Sequence, residues 1–169
     1  IHTVKSLSGD KHLVFFEGVP IHLSPGFFHP DFGRYLRHRN VISAQENGLL
    51  GGVGAGRHDT LVQMGCLAHP DLVQEKLRYL TEELIAAFGH GPAAVTEHSF
   101  RLPDGIQPVG VNVPEVFHQG YRRHADLPAF RRRLDSLGYQ YVTIGENYYR
   151  FLNFLTLDDR EKQFLKKLD

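Results

Sequence analysis

The sequence predicts an α+β fold: an antiparallel-rich sheet with helices packed on one face, ferredoxin-like or built from paired βαβ-type halves. Three observations support this. A long apolar stripe at helical spacing runs from Val73 to Phe88. Valines alternate from Val109 to Val113 behind a Pro-Asp-Gly turn. From residue 60 onward the inferred element order is β-α-β-β-α-β, with the last strand doubled, which is the order of that sandwich.

At the N-terminal end, Leu13 to Leu23 reads as two strands around Glu17-Gly18, because strand-type residues flank a glycine turn. Pro20 lacks a backbone N–H and marks the second as an edge strand. A short helix is expected over Pro30 to Arg39, since proline is tolerated in a first helical turn. Gln45 to Asp59 reads as loop, with Gly48, Gly51, Gly52, Gly54 and Gly56. Thr60 to Ala68 reads as a strand.

Val73, Leu77, Leu80, Leu84 and Phe88 share one face of the next helix, with Pro70 and Asp71 at its start and Gly89 at its end. Ala93 to Arg101 and Ile106 to Val113 are expected strands joined at Leu102-Pro-Asp-Gly105. Asp126 suits the cap of a helix carrying Leu127, Phe130, Leu134 and Leu137, and Gly138 suits its stop. Tyr139 to Ile144 and Tyr148 to Leu155 read as a hairpin, the latter strand central because it is apolar or aromatic on both faces. Thr156 with Asp159 resembles a capping box for a C-terminal helix ending near Leu168. The expectation is one domain over 1–169: an N-terminal extension over 1–58 (hairpin, short helix and Gly-rich loop) and a core over 60–169.

Composition sets limits on partners. The 169 residues carry 19 Lys plus Arg and 19 Asp plus Glu, so no general field favours nucleic acid or an anionic membrane. No apolar run approaches the roughly 18 residues of a spanning helix. No signal-peptide pattern opens the sequence. The single cysteine, Cys66, can neither pair within the chain nor build a Cys-based zinc site. It reads as an inert thiol, and a reducing cytoplasmic compartment is expected.

Eleven histidines are the notable excess. His29-Pro-Asp31, His69-Pro-Asp71 and His124-Ala-Asp126 each precede or open an expected helix, so their aspartates suit capping more than an iron triad. His22-Leu-Ser24 and His58-Asp-Thr60 have the form of paired phosphoesterase motifs, but His98-Ser-Phe100 lacks the third-position hydroxyl and the pairing is weak. Gly51 to Gly56 could cradle a phosphate or form a lid, with Arg57 facing the ligand, yet it matches no nucleotide-binding pattern.

The favoured site joins Glu97-His98 to the run His118-Gln-Gly-Tyr-Arg-Arg-His124. His98 and His118 are the candidate acid–base pair. Arg122 and Arg123, with Arg57, are the candidate anion clamp. The same histidines with Glu97 or Glu115 could hold a divalent metal. Two functions follow as expectations. One is a small enzyme using histidines for acid–base or metal-assisted chemistry on a compact anionic substrate. The alternative is a non-catalytic adaptor that binds a protein or peptide, suggested by the aromatic strands, an edge hairpin and the absence of any strong catalytic motif. Arg131-Arg-Arg133 reads as the wet face of its helix and, with Arg122 and Arg123, could serve an acidic surface. An enzyme requires convergent His, Arg and Glu in one pocket. An adaptor requires exposed apolar surface.

Overall fold

A computed structural model describes residues 2–6, 12–16, 18–24, 30–50, 58–89, 109–138 and 145–168. The chain divides into two compact units, Ile1–Val111 and Asn112–Asp169. It is α+β: among the described residues helices dominate, beside one three-stranded antiparallel sheet.

The sheet consists of β1 (His2–Ser6), β2 (His12–Phe16) and β3 (Val19–Ser24), in that order. The expected hairpin is β2–β3, turning at Gly18 with φ of 82°. Among the described residues, Pro20 lies on the edge strand of the sheet. Phe15 pairs with Pro20 and Val14 with His22, leaving Ile21 as an extra residue. Its carbonyl accepts from the Val109 N–H at 3.1 Å, so residue 109 ties onto the bulge. Leu13 and Val14 point to opposite faces, and both are buried.

The helices of this unit are α1 (Pro30–His38), α2 (Ala44–Leu50), α3 (His58–Gln63) and α4 (His69–Ala87). α1 ends where Asn40 takes φ of 58°, while Val41 N–H bonds to Leu36 C=O and Asn40 N–H to Arg37 C=O. This paired closure satisfies two carbonyls that a helix end leaves open. Phe32 and Leu36 on α1 are fully buried, and the Phe32 and Tyr35 rings stand 5.2 and 5.1 Å from Tyr79 of α4. The buried Glu75 carboxylate is held by Arg78 at 2.6 Å and by Arg39, just past the end of α1, at 3.1 Å.

Several expectations are corrected. Residues 44–50 are helical rather than loop, because Ser43 and Glu46 form a reciprocal cap: Glu46 N–H donates to Ser43 Oγ and Ser43 N–H to Glu46. Thr60 to Ala68 is not a strand. α3 runs to Gln63 and closes at Gly65, with φ of 71°, Cys66 N–H bonding to Leu61 C=O and Gly65 N–H to Val62 C=O. A glycine at this left-handed position is a helix stop, and it decides against the strand that Leu61 and Val62 favour by propensity.

The α4 stripe is rotated from the expected one. Leu72, Tyr79, Leu80, Leu84 and Ile85 are buried, whereas Val73, Leu77 and Phe88 are partly exposed. Two faces of this helix carry apolar residues, and packing against α1 and α3 selects one.

In the second unit, α5 (Val113–His124), α6 (Leu127–Leu137), α7 (Tyr148–Leu152) and α8 (Asp159–Leu165) follow. Val109 and Val111 are buried in alternation, as read, but residues 109–112 form no strand and Val113 opens α5 behind the Asn112 cap. Asp126 and Gly138 bound α6 as expected. Tyr148 to Leu155 is not a central strand: Asn147 starts α7, and Tyr149, Phe151 and Phe154 are exposed rather than core. The final capping box is Asp158 with Glu161, two residues beyond the expected Thr156–Asp159 pair. Among the described residues, 60–68 and 148–155 supply no strand to a ferredoxin-like sheet. The segments 90–108 and 139–144, with the other expected strands, lie outside the described residues, as does Gly51 to Gly56.

Candidate functional site

α5 places Glu115, His118 and Arg122 on one face, at spacings of three and four along the helix. Each reaches the segment that ends in α8. Glu115 Oε2 accepts from the Thr156 N–H at 2.7 Å, and Asn112 Nδ2 donates to the Phe154 carbonyl at 2.6 Å. His118 Nε2 lies 2.9 Å from Glu161 Oε1, and Arg122 donates to Asp158 Oδ2 at 2.6 Å.

The two α8 carboxylates divide their oxygens. Asp158 Oδ1 caps the Glu161 N–H while Oδ2 takes Arg122. Glu161 Oε2 caps the Asp158 N–H while Oε1 takes His118. The cap of α8 and its attachment to α5 are therefore one network, and losing either carboxylate breaks both. The Glu161 N–H, with the nearby Arg122 guanidinium, holds the Asp158 carboxyl below its usual value against some desolvation. Burial alone would raise Glu161, but the Asp158 N–H and the His118 ring outweigh it and lower its pKa.

Of the expected site residues, the structure brings His118 and Arg122 together. It places them in a helix–helix clamp rather than on a sheet rim, because Val113 begins a helix and not the end of a strand. Arg123 is exposed, one residue further around α5. His98 and Arg57 lie outside the described residues. Glu161 and Asp158 were missed. The Asp-x-x-Glu spacing ahead of Phe164 and Leu165 was the available signal. His118 Nδ1 is buried without a hydrogen bond, 3.8 Å from Glu115 Oε2. No group of three or more metal-ligating side chains occurs among the described residues.

In the first unit, a cleft of about 550 Å³ opens between α1 and α4, with Arg34, Tyr35 and Arg39 facing Tyr79 and Glu82. Cys66 is half-buried, and its hydrogen bond to the Glu46 carboxylate raises the thiol pKa, in keeping with an unreactive sulfur. Among the described residues, no helix is long and apolar enough to cross a membrane.

Apolar exposure is concentrated in the second unit. Phe117, Tyr121, Leu127, Phe130, Leu137, Phe151, Phe154 and Phe164 are all exposed. Among its described residues only Val116 and Gly120 are buried. Comparisons with protein families, curated proteins and solved structures find no match to this chain.

Proposed function

We propose that residues 112–169 are a docking module for a protein or peptide partner. The observation behind this reading is the imbalance just described: among the described residues of this unit, four helices with two buried residues and many large apolar side chains in the open. Covering a Phe or Leu side chain contributes about 1.5–3 kcal/mol, so a partner that covers even a few of them gains substantially. The α5–α8 clamp supports the same reading, since ion pairs and a cap join these helices while Phe117, Tyr121 and Phe164 on them stay exposed.

Hydrogen exchange on the full chain tests the proposal. Amides of α6 and α7 should exchange much faster than those of α4, and should slow when an amphipathic helical peptide is added. Protection in α6 equal to that in α4, in the free chain, would overturn it.

The histidine enzyme remains as a second reading, favoured by the buried Nδ1 of His118, which has no hydrogen bond and lies beside Glu115. In that reading His118 and Arg122, with His98 and Arg57, act on a compact anion, with or without a divalent metal. Titrating phosphate and then zinc while following the His118 ring resonances tests it. Unmoved resonances would exclude it.

A further inference from the structure

The docking reading leaves the chemistry of the partner open, and α6 narrows it. Leu127, Phe130, Leu134 and Leu137 recur at spacings of three, four and three, the a and d positions of a heptad repeat. Leu127, Phe130 and Leu137 are 69%, 59% and 54% exposed, and α6 has no buried residue. Arg131 directly follows one d residue and Arg133 directly precedes the next a residue, so they occupy e and g. They flank the apolar stripe on its two sides, while Arg132 points away. All three arginines are exposed, and among the described residues no carboxylate pairs with them.

We propose that α6 receives an acidic amphipathic helix, its apolar stripe seated on Leu127, Phe130, Leu134 and Leu137 and its carboxylates paired with Arg131 and Arg133. The inference rests on the docking reading. Charge complementarity selects this occupant, because e and g residues set the partner in helix pairing. A second copy of α6 would set arginine against arginine. A chain with 19 basic and 19 acidic residues has no net charge to draw it to an anionic surface.

The test uses the full chain and two synthetic three-heptad peptides, both with Leu at a and d, one with Glu and the other with Lys at e and g. Binding is read by fluorescence anisotropy. The Glu peptide should bind about tenfold more tightly than the Lys peptide, with the preference falling as salt is raised. The double variant Arg131→Glu, Arg133→Glu should reverse the preference. Equal binding of both peptides, or a preference that survives charge reversal, overturns the acidic-helix inference and leaves docking intact. Failure of both peptides to bind also overturns it. Tighter association with phosphatidylserine vesicles than with the Glu peptide does the same, since a lipid surface would then be the better occupant. A separate measurement on the free chain distinguishes failure of the docking reading: Phe130→Asp should leave the thermal midpoint unchanged. A marked fall would mean that α6 uses this face internally, and both proposals would go.

Discussion

Replacing His118 with alanine separates a clamp from a catalytic residue. In the clamp, the imidazole gives Glu161 one of its two hydrogen-bonded contacts and stands between α5 and α8. A hydrogen bond to a charged group contributes about 1.5–3 kcal/mol. Glu161 is partly exposed, so water recovers some of that when the ring is removed. Alanine also returns up to about 0.7 kcal/mol of helix propensity. The net loss expected is about 1 kcal/mol, or roughly a five-fold rise in the opening constant of α8. Hydrogen exchange of the amides from Glu161 to Leu168 measures this directly, with α4 as an internal reference that should not change. His118→Gln should recover part of the protection, because its amide nitrogen can reach toward Glu161. Unchanged α8 exchange in His118→Ala would refute the clamp.

Leu80 is fully buried on α4, so Leu80→Ala should lower stability by about 2–5 kcal/mol, seen as a fall in the urea midpoint by circular dichroism. A loss under about 1 kcal/mol would contradict its core position. Gly65 holds φ of 71° at the close of α3, so Gly65→Ala should cost about 1–2 kcal/mol in the same assay, and a neutral result would refute the left-handed closure. The pKa values of Asp158 and Glu161 are lowered in the folded chain. Their contribution is therefore complete above the unfolded values near about 4 and is lost as pH falls through the lowered folded values. Protection of α8, corrected for intrinsic exchange, should hold at neutral pH and decay below about pH 4. Protection that rises on acidification would reverse the sign and refute the assignment.

Legibility followed how local the signal was. The β2–β3 hairpin, α1, α4 and α6 were readable because turn, cap and stop residues lie beside their periodic stretches: Gly18, Pro30, Pro70, Asp126 and Gly138. α3 was misread because Leu61 and Val62 favour a strand by propensity, while Gly65 carries the opposing signal in a single residue. α7 was misread for a related reason. A run that is apolar or aromatic on both faces resembles a buried strand, and only the surroundings show Tyr149, Phe151 and Phe154 in the open. At the site, the sequence singled out His118, paired with His98 and with Arg122 or Arg123 as a clamp, but not the Glu161 and Asp158 partners, which lie about forty residues on.

The sequence by itself determined the α+β class, the absence of net charge, the ends of the well-capped helices, and the apolar stripe of α6 with its arginines. Tertiary structure alone decided which face of α4 is buried, that Glu161 and Asp158 serve cap and clamp together, and that the α6 stripe is left uncovered. Periodicity fixes which side chains share a face. What that face meets depends on elements far away in the chain, and no local pattern encodes them.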